Sequence, residues 1–232
     1  YIVKNKTTVG RDTLAFDLEP CKDPCFFNAA GQFALVTFYS ETLAREEHPW
    51  TISSSPFSST VQFTIKKSGD FTSLADSIRT GDRAGIRGPY GSFSCSALGK
   101  NNTSDLVMIA GGVGITPFLS MLRYLADIGD KRKIILIWSN KTESDILWKE
   151  SFQELQEQLP NFELQHVLTR QSSWNGHTGH LTAGLLKTLL AGIKPDYHIF
   201  ICGPSRMAAE VKSQLKHSGF SLSRIHDEAF QL

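Results

Sequence analysis

The stretch Leu106-Val107-Met108-Ile109-Ala110-Gly111-Gly112-Val113-Gly114-Ile115-Thr116-Pro117 decides the architecture of the C-terminal half of the chain. Its first five residues are apolar without alternation, the pattern of a strand buried on both faces of a parallel sheet. Three glycines then open a turn, and a helical pattern runs from Thr116 to about Ile128. Proline suits the first helical turn, where its missing N–H is not needed. Glycines let the backbone approach a pyrophosphate, and a helix N-terminus offers free N–H groups and the positive end of a dipole. A bare Gly-x-Gly would leave a ligand-free tight turn as an even alternative. Here strand, glycines and Thr-Pro coincide, so Gly111, Gly112, Val113, Gly114, Thr116 and Pro117 are read as a dinucleotide phosphate site.

The same rhythm continues downstream. Strand patterns at Ile134–Trp138, Phe162–Thr169 and Tyr197–Cys202 alternate with helical patterns at Glu143–Leu159, Leu181–Leu190 and Ser205–His217. Such alternation predicts an α/β doubly wound parallel sheet. Upstream the pattern is different. Tyr1-Ile2-Val3, Thr13–Leu18, Phe33–Phe38 and Val61–Lys66 are β-rich runs bounded by turn residues, with one short helix near Thr72–Thr80. Many short strands with turn signals predict a small antiparallel β-barrel. The polar stretch Leu98–Ser104 is the expected linker, which places one domain at 1–99 and the other at 104–232.

Composition agrees with two ordinary cores. The 232 residues are 41% hydrophobic and 20% charged, with a net charge of +1. Two domains of about 100 residues each fit that length. The charge gives no ground for bulk binding to nucleic acid, and the longest basic run is Lys131-Arg132-Lys133, read as a solvated strand entry. No apolar run is long enough to span a membrane, so this chain is expected to be soluble. No signal peptide opens it, and it begins mid-pattern, as a piece of a longer protein could. Cys21 and Cys25 form the only close pair among four cysteines, a weak metal signal that reads better as a loop with incidental thiols. No metal site is expected, and the sparse cysteines fit a reducing compartment.

The turn departs from Gly-x-Gly-x-x-Gly, with proline where the third glycine would stand. The carboxylate that usually meets the ribose 2′-hydroxyl at the end of the second strand is missing too. That strand ends in Trp138-Ser139-Asn140-Lys141. Ser139 and Lys141, with Thr169 and Arg170 at the end of the third strand, could hold a 2′-phosphate. NADPH is therefore favoured, with NADH open, and the alternative for Arg170 is a surface salt bridge.

Several further motifs belong together: His48-Pro49-Trp50-Thr51-Ile52-Ser53-Ser54-Ser55-Pro56, Gly69-Asp70-Phe71-Thr72-Ser73, Gly88-Pro89-Tyr90-Gly91-Ser92-Phe93, Cys202-Gly203-Pro204 with Met207, and Glu228-Ala229-Phe230. With the glycine turn, and in this order over nearly the whole chain, they resemble the ferredoxin–NADP reductase superfamily. Within it they look most like the dehydrogenase portion of ferric reductases and NADPH oxidases. The resemblance implies FAD and NAD(P)H as cofactors. It implies that Trp50 stacks on the flavin, that Thr51 lies near the reactive flavin N5, and that Pro49, Ile52 and Ser53 line the same site. His48 replaces the arginine that the soluble branch places on the flavin pyrophosphate. A partly charged imidazole binds phosphate more weakly, so FAD is expected to be held loosely. Thr72 and Ser73 match the element that opens a short helix onto the pyrophosphate, and Ile65 and Lys66 contribute through backbone.

The resemblance also implies that Cys202, Gly203, Pro204 and Met207 place the nicotinamide, while Glu228 and Phe230 form the terminal acidic and aromatic pair that covers the flavin. A buried strand-end thiol is the alternative for Cys202. Thr51, Cys202, Glu228 and Phe230 are thus the expected catalytic residues. The implied reaction is hydride transfer from NADPH to FAD, then one-electron delivery to an acceptor. That acceptor is expected to be a haem-bearing transmembrane domain, ferric iron or dioxygen, with the chain on the cytoplasmic side of a membrane within a longer protein. Two alternatives stay open: a free-standing soluble reductase of a ferredoxin- or flavodoxin-like carrier, and a non-catalytic redox-sensing module. Elsewhere, His177 and His180 read as loop residues, Trp148, Phe152 and Leu155 as core on one helix face, and Trp174 as a loop residue without a role.

Overall fold

A computed structural model describes residues 1–22, 28–40, 42–99 and 102–230, and the side chains of all of these except Ala229 and Phe230. Cys25 and the linker residues Lys100 and Asn101 lie outside the described residues. Two compact units are present: Tyr1–Leu98 together with Thr116–Asp127, and Gly99–Ile115 together with Ile128–Leu232.

The first unit holds strands β1 (Ile2–Gly10), β2 (Thr13–Glu19), β3 (Phe33–Tyr39), β4 (His48–Thr51), β5 (Val61–Lys66) and β6 (Arg83–Tyr90). All pair antiparallel in the order β4-β3-β6-β1-β2-β5. The two edges of that order meet, because Ile52 forms an antiparallel bridge to Phe63 of β5 and the Ser53 amide donates to the Gln62 carbonyl at 2.8 Å. The sheet is therefore closed into the expected barrel, and its seam lies directly after His48–Thr51. Alternation explains the core. Ala34, Val36 and Phe38 of β3 are buried together with Phe16, Leu18, Ile52, Phe63, Ile65 and Ile78, while the intervening β3 residues are only half-buried.

The helix expected near Thr72–Thr80 is shorter and starts earlier. Helix α1 spans Asp70–Ser73 and passes into a 3-10 turn at Leu74–Ser77. Gly69 acts as its N-cap, and the chain turns extended at Ile78, which is fully buried in the barrel core. Helix α2 (Thr116–Asp127) also belongs to this first unit.

The second unit is a parallel sheet of β7 (Asp105–Gly111), β8 (Ile134–Asn140), β9 (Phe162–Leu168), β10 (His177–Thr178), β11 (Tyr197–Pro204) and β12 (Ile225–Phe230). Its order is β10-β9-β8-β7-β11-β12. Strand order reverses at β7, whose neighbours are β8 and β11, and a crevice at such a switch point is where open α/β sheets take their ligands. Helix α3 (Lys149–Gln158) packs on one face, where Phe152 lies 5.3 Å from Trp138. Helices α4 (Ala183–Leu189) and α5 (Ser205–His217) pack on the other, against Val107, Ile109, Ile135, Ile137, Ile199 and Ile201.

The expected helix at Glu143–Leu159 is divided. A 3-10 turn covers Glu143–Asp145, and α3 begins only after Trp148, whose φ of 54° is left-handed. Ile146 and Leu147 are buried, and Ile146 is extended, so the helix restarts beyond them. Phe152 and Leu155 are core residues as expected, whereas half-buried Trp148 is a helix cap rather than a member of the helix face. Strand β12 is missing from the strand pattern because its middle residues His226, Asp227 and Glu228 are polar. Among the described residues no helix is long and apolar enough to cross a membrane, and no group of three or more metal-ligating side chains occurs.

Candidate functional site

In the barrel, β4 carries His48, Pro49, Trp50 and Thr51 beside β3, with Trp50 opposite Ala34 and His48 opposite Val36. His48 and Trp50 are half-buried and Pro49 is exposed, whereas Thr51, Ile52 and Ser53 are buried. The aromatic rings gather: His48 lies 5.5 Å from Trp50 and 4.0 Å from Phe71, and Trp50 lies 6.1 Å from Phe71 and 5.8 Å from Phe38. Phe71 thus joins the aromatic surface, although sequence reading gave it no role. Its signal was its place between Asp70 and Thr72 in a motif already singled out. The Nε2 atom of His48 sits 3.1 Å from a Glu46 carboxylate oxygen, so a phosphate on that nitrogen would have to displace an anion already there.

Thr72 and Ser73 stand near this cluster, but their hydroxyls are engaged within the turn. Thr72 Oγ1 accepts from the Ser68 and Gly69 amides at 2.9 Å each, and Ser73 Oγ donates to the Gly69 carbonyl at 2.8 Å. Ile65 is buried in the barrel core and Lys66 is half-buried, so neither side chain of β5 is freely presented.

Next to this motif runs a buried polar network that sequence reading missed. Ser53 Oγ reaches Thr64 Oγ1 at 3.0 Å and Gln62 Oε1 at 3.2 Å, and Gln62 Nε2 donates to Asp17 at 2.8 Å. Arg123 of α2 donates to the Ser53 carbonyl at 2.9 Å and to Gln62 Oε1 at 2.8 Å.

In the parallel sheet, the glycine turn is a 3-10 turn over Gly112–Ile115 that leads into α2. A Cβ on Gly111 would come 2.5 Å from Met207 Sδ, and one on Gly114 would come 2.7 Å from the Cys202 carbonyl carbon. These two glycines serve close packing of the turn on β11. Gly112 differs, with φ of +53° and nothing within 4 Å of its hypothetical Cβ. Trp138 Nε1 donates to the Gly112 carbonyl at 3.0 Å and fixes the turn from β8. Val113 follows Gly112 half-buried, and Thr116 and Pro117 are buried at the start of α2. Open backbone at one glycine, beside a helix start, fits the approach of a phosphate.

Cys202, Gly203 and Pro204 end β11 beside this turn, with Cys202 opposite Ala110 on one side and Glu228 on the other. Cys202 is fully buried, and burial, then the nearby Glu228 charge, push its thiol well above the ordinary thiol range. Half-buried Glu228 has its own carboxyl raised by burial. Phe230 pairs with Pro204 through its backbone, and its side chain lies outside the described residues.

Ser139 lines a small cavity of about 130 Å³ with Met207, His180, Thr182, Glu210 and Gln214. His180, expected as a plain loop residue, therefore faces the same space as two residues read from the sequence as nucleotide-binding. Lys141 and Arg170 are brought together, because the Arg170 amide donates to the Lys141 carbonyl at 2.9 Å and Thr169 N donates to the Asn140 carbonyl at 2.9 Å. Both cationic side chains are exposed, and neither has an ion-pair partner among the described residues. Trp174 is half-buried, edge-on to His166 at 6.3 Å, in the wall of a second cavity of about 290 Å³ beneath α3.

Residues 3–94 match the model of an FAD-binding domain, and residues 108–213 match that of an oxidoreductase NAD-binding domain. Cytochrome b5 reductase 4 of Homo sapiens is 33% identical over 172 residues, which are 72% of this chain and 33% of that protein. The glycine betaine monooxygenase reductase subunit of Chromohalobacter salexigens is 30% identical over 218 residues, 88% of this chain and 56% of that protein. Among solved structures, the CS-b5R domains of human Ncb5or in the NAD⁺ form are 29% identical with a TM-score of 0.83, covering 97% of this chain and 68% of that one. Flavohemoglobin of Malassezia yamatoensis, with FAD and haem, shares the fold at a TM-score of 0.86 and 21% identity, over 99% of this chain and 59% of that one. The chain spans between about a third and three fifths of the curated relatives it matches. With tandem FAD-binding and NAD-binding domains on this two-sheet fold, the chain belongs to the ferredoxin–NADP reductase superfamily as an FAD-dependent NAD(P)H oxidoreductase module.

Proposed function

We propose that residues 1–99 form the FAD-binding domain and residues 104–232 the NAD(P)H-binding domain of a module that moves hydride from NADPH to FAD. The module then delivers electrons singly to haem, ferric iron or dioxygen, as the dehydrogenase part of a membrane ferric reductase or NADPH oxidase does. The carrying observation is the end of β7, where a tightly packed turn leaves only Gly112 open beside Cys202-Gly203-Pro204. For the nucleotide, the supporting feature is the pair Lys141 and Arg170, two cations at neighbouring strand ends without ion-pair partners among the described residues. For the branch, it is His48-Pro49-Trp50-Thr51, with histidine where the soluble branch has arginine.

The flavin, when bound, supplies the two-electron to one-electron conversion, and the protein supplies binding and alignment. Trp50 offers a ring face, Thr51 a hydroxyl, and His48, Thr72, Ser73, Ile65 and Lys66 the surroundings of the pyrophosphate. Gly112 and the start of α2 receive the nucleotide phosphates, and Ser139, Lys141, Thr169 and Arg170 hold the 2′-phosphate. Cys202 acts as a neutral thiol, since burial and Glu228 disfavour its charged form. It contributes shape rather than charge. Burial raises the Glu228 carboxyl, which retains a proton to higher pH than an exposed glutamate does. Alignment of this kind can lower the barrier by roughly 7–11 kcal/mol.

A second reading draws on the relatives, one of them the reductase subunit of a monooxygenase. In it the chain serves a separate ferredoxin- or flavodoxin-like carrier. Anaerobic mixing with FAD and NADPH, repeated with NADH, ferric chelate and dioxygen, tests these readings together. Bleaching of the flavin with NADPH in preference to NADH, then reoxidation by ferric chelate or dioxygen, is expected. A flavin that stays oxidised would leave only the non-catalytic module, and reoxidation by a protein carrier alone would favour the second reading.

A further inference from the structure

Helix α2 carries a polar stripe that an ordinary sheet-packing helix has no need of. Its apolar residues Phe118, Leu119, Met121, Leu122 and Leu125 are buried. Ser120, Arg123 and Asp127 stand three and four residues apart, hence along one side of the helix. Each meets a successive residue of the segment that follows β4. Arg123 donates to the Ser53 carbonyl at 2.9 Å, Ser120 Oγ donates to the Ser54 carbonyl at 2.7 Å, and the Ser55 hydroxyl donates to the Asp127 carboxylate. Tyr124, on the same side, stacks on Phe57 with ring centroids 5.8 Å apart.

Arg123 is the branching point of this contact. Its second bond goes to Gln62 Oε1 at 2.8 Å, and Gln62 is itself tied to Asp17, while the Ser54 hydroxyl accepts from the Gln62 amide at 3.1 Å. Ser53, Ser54 and Gln62 are all buried, so without the guanidinium a buried carbonyl and a buried amide oxygen each lose a donor. A buried polar network that is only partly satisfied is prone to rearrange. The residue at stake, Ser53, directly follows Thr51 and Ile52 at the barrel seam. We infer that Arg123 is a positioning residue for the flavin, holding the Thr51–Ser55 segment in place through the Ser53 carbonyl and the Gln62 side chain. This inference rests on the reading of His48–Ser53 as flavin-binding.

The test compares Arg123→Gln and Arg123→Lys with Leu125→Ala, which removes buried apolar surface from the same helix without touching Ser53. Stopped-flow flavin reduction, FAD affinity and the flavin midpoint potential are measured on the FAD-loaded protein. Arg123→Gln is expected to lower the limiting reduction rate by about tenfold or more, as small misplacements of reacting groups do. It should shift the potential and change the nucleotide KM by less than about twofold. Arg123→Lys keeps the charge but lacks the fork that serves two acceptors, so it should recover part of the rate, and it stands in if the glutamine variant does not fold. Leu125→Ala should lose thermal stability while keeping rate and potential. Wild-type rate and potential in Arg123→Gln, or equal losses in Leu125→Ala, would overturn the inference. A wild-type protein whose flavin is never reduced would instead overturn the proposed function.

Discussion

Replacing Gly114 by alanine separates packing from ligand approach at the glycine turn. A Cβ there would sit 2.7 Å from the Cys202 carbonyl carbon and 2.9 Å from Gly203 Cα, both backbone atoms that cannot swing aside. Ordinary contact begins near 3.4 Å and the Cys202 carbonyl oxygen lies closer still, so the turn or β11 must yield by about 1 Å. Gly114 is not in a left-handed conformation, so the cost is steric. Overpacking of this kind costs about 1–3 kcal/mol. In a unit of this size that lowers the melting midpoint by about 3–15 °C. Gly112→Asn is the counterpart. Asparagine tolerates the left-handed φ of +53°, and nothing within 4 Å would meet its Cβ, so the fold should be nearly unaffected. Its side chain would fill the space left for a phosphate, and affinity for NADP⁺ should fall about tenfold or more, or 1.4 kcal/mol. Differential scanning calorimetry and titration calorimetry read the two effects separately. A Gly114→Ala protein that melts like wild type would refute the close approach, and unaltered NADP⁺ affinity in Gly112→Asn would refute the phosphate reading.

Three further outcomes are expected. Lys141→Ala and Arg170→Ala should each raise the KM for NADPH by about tenfold and leave that for NADH nearly unchanged, since a 2′-phosphate is the only difference they would meet; equal effects on both nucleotides would count against the clamp. Cys202→Ala should slow flavin reduction at unchanged flavin content. In the wild type the rate should show no thiol ionisation between about pH 6 and 9, because burial and Glu228 keep the thiol protonated; rapid iodoacetamide labelling of the folded protein at pH 8 would contradict this. His166 is depressed below its ordinary value of 6.5 by burial and then by Lys149. The unfolded state therefore binds more protons just below pH 6.5, and the stability gained from a neutral His166 is lost as pH falls through that window. Urea midpoints at pH 5 and pH 7 should differ less in His166→Gln than in wild type; an identical difference would remove His166 from the effect.

Much of the fold was legible in single residues. The apolar runs at 106–110 and 134–138 are strands buried on both faces, and such strands need no alternating pattern to be recognised. The barrel strands were visible in another way, as β-rich runs such as Phe33–Phe38 bounded by turn residues. Where reading failed, tertiary contacts outweighed local pattern. Glu143–Leu159 has helical periodicity, yet Ile146 and Leu147 are drawn into the core and the helix restarts after a left-handed Trp148. Strand β12 holds charged residues because it lies at a sheet edge, where one flank is unpaired.

The candidate site divides along the same line. The sequence by itself determined which chemistry is present: the glycine turn, the histidine and tryptophan of the barrel motif, the strand-end cysteine, and the absent carboxylate after the second strand. These are properties of residue type and spacing, and they survive without coordinates. Only the tertiary structure decided how the pieces are used. Gly111 and Gly114 serve packing and Gly112 alone is open, because that depends on what lies opposite each Cα in β11 and α5. Lys141 and Arg170 are neighbours, 29 positions apart, because β8 and β9 end together. Arg123 meets Ser53 across 70 positions, a contact that no local pattern encodes, since it arises only when the helix after the glycine turn packs on the seam of the barrel.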